Sequence, residues 1–361
     1  LDPFVSKGRL WNKLVIYLQA EPRVSRGTKT MSKDTTYKDS GVDIDAGNES
    51  IKRVKKNIHS TFNSSVLTGV GTFGAMYDLS DIIKTYKNPV LVQSIDSVGT
   101  KLIVANMANF HKTIGIDMVA HSCNDVLCQG AKPITFLDYI AVDKLDPNHI
   151  QEVVDGICEG CREADLPLMG GELAELPGVY KEGEYDLVGV VAGVVEKDKI
   201  VDGSKIAPGN DVLGLASSGL HTNGFSLARN VLFNIKKFKV DQYMQELECT
   251  LGEILLKPHT NYTKPVLSLL DEFDIKGIAH ITGGGLVDNI LRVLPENCQV
   301  MVSKDSWNIP TIFQLIQRYG NVPEDDMFKT FNMGIGLVLI VSQNETNVIA
   351  SKLNSQGFPV T

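Results

Sequence analysis

Residues 123–142 read CNDVLCQGAKPITFLDYIAV, and the fold turns on how this stretch is parsed. Asp125 is followed five positions later by Gly130-Ala131 and then by Pro133, at the point where a helix hands over to a strand. A carboxylate at the end of a buried apolar helix is unfavourable unless a cation or a hydrogen-bond donor meets it. Upstream, the spacing predicts a helix from about Thr113 to Gln129, and downstream "PITFLDYIAV" reads as a buried strand.

Working outward, "AGNESIKRVKKNIHSTF" places Ile51, Val54, Ile58 and Phe62 at helical steps. "NPVLVQSI" reads as a strand closing at Asp96. A helix from about Asn148 to Arg162 and the strands "LPLMGGE" and "YDLVGVVAGVV" follow. The polar stretch 196–211 separates two apolar strands and marks a boundary. Beyond it, "VLGLASSGLHTNGFSLARNVL" reads as strand, turn, helix. "IKGIAHITGGGLVDNILRVL" repeats that logic, and "TFNMGIGLVLIV" adds a buried strand. Each half mixes strands and helices without strict alternation, so the class is α+β (mixed α/β) in two domains. The predicted division is 1–36 as extension or leader, 37–200 as the N-terminal domain and 201–361 as the C-terminal domain. Residues 1–30 lack an initiating Met and are set aside from the fold.

At 361 residues, 43% apolar and 22% charged, the chain has globular composition and room for two cores. A net charge of −8 argues against a sequence-independent grip on nucleic acid. No run of about twenty apolar residues is present to span a membrane. The six cysteines lie mostly in apolar-periodic segments and read as reduced core residues of a cytoplasmic protein. Cys158 and Cys161 form a CxxC inside a helical pattern with no second pair, which reads as packing.

Three glycine-rich loops, "TGVGTFGA", "SSGLHTNGFS" and "HITGGGLVDN", sit beside apolar runs or helix starts and suit phosphate binding. Each alone also reads as an ordinary tight turn. Asp96 and Asp125 stand at element ends and are the hard ligands that magnesium prefers. Taken separately, each also reads as a cap or a salt-bridge partner. Lys101 and Lys55 either bring positive charge to a nucleotide or are solvated surface lysines. His221 lies in a polar turn, where it could bind an oxyanion or move a proton. His280 is as readily structural as functional, and Glu172 ends a strand after glycines.

Eight blocks in this order resemble one family: "YKDSGVDIDAGN", "GVGTFGA", "SIDSVGTKL", "IGIDMVAHSCNDVLCQGAKPITFLDY", "GGELAELPGVY", "SSGLHTNGFSL", "AHITGGGLVDNILRVLP" and "TFNMGIG". The family is that of the phosphoribosylformylglycinamidine cyclo-ligases, or aminoimidazole ribonucleotide synthetases. The likeness runs from about Tyr37 onward. Its Asp-x4-Gly-Ala-x-Pro element, Asp125 to Pro133, belongs to the wider ATP-binding superfamily that includes selenophosphate synthetase and formylglycinamidine ribonucleotide amidotransferase.

The resemblance implies ATP-dependent closure of formylglycinamidine ribonucleotide to aminoimidazole ribonucleotide, the fifth step of purine synthesis. ATP would phosphorylate the formyl-amide oxygen, the amidine nitrogen would attack, and phosphate would leave. It implies Asp96 and Asp125 as Mg2+ ligands, and Gly69, Gly71, Gly74, Asp96, Thr100, Lys101 and Asp125 around ATP. Gly170, Gly171, Glu172, Asn223, Thr282, Gly283, Gly284 and Gly285 would line the substrate cleft. His221, Lys55 and Asp125 are the catalytic candidates. It further implies a homodimer whose N-terminal sheets pair into a barrel, and a C-terminal α/β sandwich. Selenophosphate synthetase would require a cysteine between Tyr37 and Asn63, where none exists. The remaining alternative is a non-catalytic nucleotide-binding protein of the same fold, which would be expected to have lost the acids or glycines.

Overall fold

The computed structural model describes residues 35–361. The leader expected at residues 1–30 lies outside the described residues. Contacts divide the chain after Ser40. Residues 35–40 are a short piece with one 3-10 turn, Lys38–Ser40, closed by the Thr36 hydroxyl on the Asp39 carboxylate at 2.7 Å. Gly41–Thr361 forms the other compact unit, described next by itself.

The first helix, α1 (Ile44–His59), starts where the Asp43 carboxylate accepts the Ala46 amide, as an N-cap should. Its inward stripe is Ser50, Val54 and Ile58. Ile51, expected in that stripe, is exposed, and Ser50 takes the place by folding its hydroxyl back onto the Ala46 carbonyl. After α1 come strand β1 (Pro89–Ser97), helices α2 (Lys101–Ala108) and α3 (Lys112–Leu127), β2 (Lys132–Val142), α4 (Pro147–Ala164), β3 (Leu168–Glu175) and β4 (Tyr185–Glu196). The four strands form one sheet in the order β1-β4-β2-β3. Pairing is antiparallel except between β2 and β3, where α4 supplies the crossover that a parallel pair requires.

Helix α3 crosses β1, β4 and β2 on one face of the sheet and packs against α4. That contact is close because glycines stand where the helices meet. A Cβ at Gly115 would lie 2.3 Å from the Val153 carbonyl oxygen, and one at Gly156 1.9 Å from that of Lys112. The opposite face of the sheet carries Leu91, Ile95 and Leu137, all exposed.

A second sheet follows: β5 (Asn210–Ala216), β6 (Gly277–His280) and β7 (Ile335–Ser342), antiparallel in the order β5-β7-β6. The buried central strand β7 explains the unbroken apolar run of its sequence. Gly214 and Thr361 exchange backbone hydrogen bonds of 2.8 and 3.0 Å along the other edge of β5. Helices α5 (Phe225–Arg229), α6 (Thr263–Leu270), α7 (Gly285–Leu291) and α8 (Thr346–Ser355) belong to this half. Leu127, at the end of α3, packs in the same apolar cluster as Val266, Leu269 and Leu337, so α3 serves both halves. The architecture is mixed α/β. No helix among the described residues is long and apolar enough to cross a membrane, and all six cysteines are free.

Candidate active site at the junction of the two sheets

Helix α3 is apolar on most sides, yet Asp117, His121, Asn124 and Asp125 recur on it at three- and four-residue steps and so share one face. That face meets the loops of the second half. Asn124 donates to the Thr260 carbonyl and accepts the Tyr262 amide, both at 2.9 Å, and Asp117 accepts the His259 amide at 2.7 Å. These bonds fix the loop 257–262 against α3 and satisfy side chains that burial would otherwise penalise.

Beside them two carboxylate–imidazole pairs stand together. His121 Nε2 lies 2.6 Å from Asp96 Oδ2, and His280 Nδ1 lies 2.8 Å from Asp125 Oδ1. The far nitrogens are also held: His121 Nδ1 is 2.7 Å from Thr222 Oγ1, and His280 Nε2 is 3.0 Å from His259 Nε2. Ser94 donates to the second Asp125 oxygen at 3.2 Å. The imidazoles are buried, while the Asp96 and Asp125 side chains remain 38% and 31% exposed. What meets Asp125 is therefore His280 and Ser94, with an oxygen face still open to solvent.

Electrostatics follows the pairing. Burial pushes Asp96 up, but the His121 hydrogen bond and charge outweigh it, and the carboxyl sits below its ordinary value. Burial pushes His121 down, yet the Asp96 bond and the nearby acids carry it above the usual histidine value. Burial also opposes ionisation of Asp125, and the His280 bond together with the His280 and His121 charges reverses that. His280 stays below its usual value because burial prevails over Asp125, which leaves it a neutral donor.

Two expected ligand-binding side chains turn out to be internal. Lys101 is fully buried, with Nζ 2.6 Å from Asp117 Oδ2 and donating to the carbonyls of His221 and Lys257 at 3.1 and 2.9 Å. With three partners and no exposure, its ammonium is committed to holding the loops. His221 is likewise buried, at a left-handed φ of 60°, stacked on His259 with centroids 3.9 Å apart. Burial, then the charges of His280, Lys101 and His121, hold it well below the usual histidine value. A neutral, enclosed imidazole offers no charge to an oxyanion; its Nε2 instead accepts the Ser218 amide at 3.2 Å and shapes the turn.

The glycine turns of the second half do converge here. A Cβ on Gly283 would lie 3.5 Å from Asn223 Oδ1, so the turns 217–224 and 282–285 are neighbours. Asn289 knits the latter by donating to the carbonyls of Thr282, Gly283 and Gly285 at 3.3, 3.2 and 2.8 Å. Gly284 and Gly285 have φ of 95° and 65°, and a Cβ on Gly285 would collide with the Phe328 carbonyl, so glycine is required there. Thr100 joins the halves through Ser226, at 3.2 Å between hydroxyls.

Other expected members are not among the hydrogen-bonded residues of this cluster. Gly69, Gly71 and Gly74 lie in an exposed loop held by its own bonds, such as Thr72 Oγ1 to the Gly74 carbonyl at 3.0 Å. Lys55 is exposed on α1, a helix that packs on α4 and β3. Gly170, Gly171 and Glu172 are on β3, the sheet edge opposite β1 and Asp96. Two intervening strands put them roughly 14 Å from Asp96, because neighbouring strands are ~4.8 Å apart. Gly171 is needed there for another reason: a Cβ would meet Asp138 Oδ1 at 2.2 Å. His121, Thr222, His259 and Ser94 belong to the cluster although no motif in the sequence marks them. The i, i+4 spacing of His121 and Asp125 was the available signal for the first, masked by the apolar helix around it.

Comparison with known proteins identifies the family. A family model described as "AIR synthase related protein, N-terminal domain" matches residues 77–195, and its C-terminal counterpart matches 207–361. A protein of Syntrophotalea carbinolica named phosphoribosylformylglycinamidine cyclo-ligase is 51% identical over 322 residues, 89% of this chain and 91% of that one. Among solved structures, thiamine-monophosphate kinase from Stenotrophomonas maltophilia K279a superposes with a TM-score of 0.64 at 17% identity, covering 86% of this chain and 91% of its own. Hydrogenase maturation protein HypE, solved in complex with ATP, gives 0.55 at 17% identity, with 85% and 82% covered. At such identities the solved structures speak for the fold alone, whereas the long match at half identity fixes the family. This chain belongs to the AIR synthase related family, among the phosphoribosylformylglycinamidine cyclo-ligases.

Proposed function

We propose that the junction of the two sheets is where this chain carries out the ATP-dependent cyclisation of formylglycinamidine ribonucleotide to aminoimidazole ribonucleotide, in purine biosynthesis. The observation that carries the reading is the 51% identity to a named cyclo-ligase across 89% of the chain. The chemistry needs an inert amide oxygen converted into a leaving group. The γ-phosphoryl group of ATP is transferred to that oxygen, the amidine nitrogen bonds to the activated carbon, and the C–O bond breaks to release phosphate. Such a reaction depends on positioning two anionic molecules and neutralising charge in the transferring group.

In this reading ATP lies against the open oxygens of Asp96 and Asp125, with Thr100 at the rim. The HypE complex supports nucleotide binding by this fold, as a property of that neighbour. The carboxylates fit an Mg2+ ion: both are held ionised, both are hard oxygen donors, and both reach solvent. When bound, Mg2+ would neutralise charge on the phosphates. Asn223 and the turn Thr282–Gly285 offer amides and a hydroxyl to the substrate phosphate. His280, a neutral donor on Asp125, holds that carboxylate in orientation, while Lys101 and His221 act one layer back by fixing the loops.

Residues 37–200 are assigned to ATP binding and dimerisation and 201–361 to the second domain. A homodimer is part of the proposal, supported by the bare apolar sheet face, and the free cysteines accord with the cytoplasm. Gly69, Gly71, Gly74, Lys55, Gly170, Gly171 and Glu172 stay candidates on the resemblance.

The test is direct. Purified chain with Mg-ATP and formylglycinamidine ribonucleotide is expected to form an aminoimidazole detectable by diazo coupling. ATP consumption without that product would reject the reading.

A further inference from the structure

We propose that His121, Asp125 and His280 form a binding site for a borderline divalent transition-metal ion of the Zn2+ class, as an alternative to the oxygen-only Mg2+ coordination assigned above. One ligand atom from each of the three lies within 4.8 Å of the others. Two imidazoles and a carboxylate are a donor set that suits Zn2+, Co2+ or Mn2+, whereas Mg2+ and Ca2+ take oxygen. The fourth position of a tetrahedral Zn2+ ion is left to water, as in sites that keep one position open.

The surroundings are arranged as they are around metal-binding histidines. Such a histidine uses one nitrogen for the metal and commits the other to a hydrogen bond that fixes the ring. Here His121 turns Nδ1 to Thr222 Oγ1 and leaves Nε2 on the side of the Asp96 carboxylate. His280 turns Nε2 to His259 Nε2 and presents Nδ1 to Asp125. Ligation through His280 Nδ1 places its proton on Nε2, and His259 Nε2 is there to accept it. His259 then carries its own proton on Nδ1, which faces Thr222 Oγ1 at 3.4 Å. The proton displaced from His121 Nε2 leaves to solvent past the open side of Asp125. Ligands also come from elements rather than loops: His121 and Asp125 are one turn apart on α3, and His280 ends β6.

The consequence for turnover rests on the functional reading above, because an ion seated on Asp125 takes the carboxylate assigned there to Mg-ATP and so inhibits. Binding itself is tested without nucleotide, which keeps the two readings separable. Metal-free chain is titrated with Co2+ while its visible d–d bands are followed, and the bound Co2+ is then displaced by Zn2+. The expected result is saturable binding of a single equivalent with the intense bands of a four-coordinate site. Thr222→Val should weaken it by ~10–100-fold, and His121→Ala and His280→Ala by at least as much. His280→Gln, which keeps a hydrogen-bonding side chain, guards against misfolding, and thermal unfolding of each variant is recorded alongside. Absence of these bands, or bands that persist in folded His121→Ala and His280→Gln, overturns the proposal.

Discussion

Asp125 shows how much one residue's meaning depends on what faces it. Its carboxylate is ionised against burial by His280, His121 and Ser94, yet keeps an open side. Asp125→Asn retains shape and removes charge, so folding should survive while turnover falls on the order of a hundredfold or more, the usual effect of deleting one preorganised electrostatic group. Steady-state kinetics beside a thermal melt checks this, and full activity in the variant would remove Asp125 from the chemistry. A second residue governs acid stability. His149 packs against His111 and Tyr185, its Nε2 finds no hydrogen-bond partner among the described residues, and burial, then the His111 charge, pushes it down to about 4. The unfolded chain protonates near 6.5, so between those values it binds a proton that the native state does not. Stability should therefore fall as pH drops through that window, by on the order of 3 kcal/mol. Urea unfolding of wild type and His149→Phe at several pH values tests it; parallel curves would refute the assignment. At this scale legibility was partial. Asp96 and Asp125 stood out because acids at the ends of apolar runs demand partners. The burial of Lys101 and His221 was not legible, because sequence distinguishes polar from apolar positions, but not a solvated polar turn from one folded over on itself.

Among the elements, helices and strands were legible wherever one period ruled. The helix expected from about Thr113 to Gln129 is found as Lys112–Leu127, and the strand closing at Asp96 as Pro89–Ser97. Which elements touch was not legible, because the signal is small residues rather than a pattern. Gly115 and Gly156 let α3 and α4 approach until a Cβ would strike backbone oxygen. Backbone cannot step aside as a side-chain end can, so Gly156→Ala must push the helices apart. A loss of ~1–3 kcal/mol or more is expected, as for overpacking of a tight core. Gly47→Ala, whose Cβ would meet only Leu145 at 3.6 Å in a regular helix, is the contrast and should gain roughly 0.5–1 kcal/mol. Chemical denaturation of both checks the pair, and equal effects would show that helix propensity, not contact, decides.

For the whole molecule, the decisive feature is what the first sheet leaves bare. An antiparallel sheet with one wet face normally alternates apolar and polar residues. Here the face away from the helices carries Leu91 and Ile95 on β1 and Leu137 on β2, with Val188 and Val190 half-buried on the β4 strand between them. Water is a poor cover for such a patch, and a second copy of the same sheet is the cover proposed above. Ser94 and Asp96 alternate with these residues on β1 and point to the α3 side, so pairing on the bare face would also brace the strand that carries Asp96. Ile95→Lys puts a charge on that face without touching the core of one subunit. Each site occurs twice in a two-fold pair, and burying one isoleucine is worth ~1.5–3 kcal/mol. The dimer should therefore weaken by roughly a hundredfold to ten-thousandfold. Sedimentation velocity across a concentration series should find wild type dimeric and Ile95→Lys monomeric, with unchanged far-UV circular dichroism. A wild-type chain that sediments as a monomer at every concentration would mean that this face serves some other purpose.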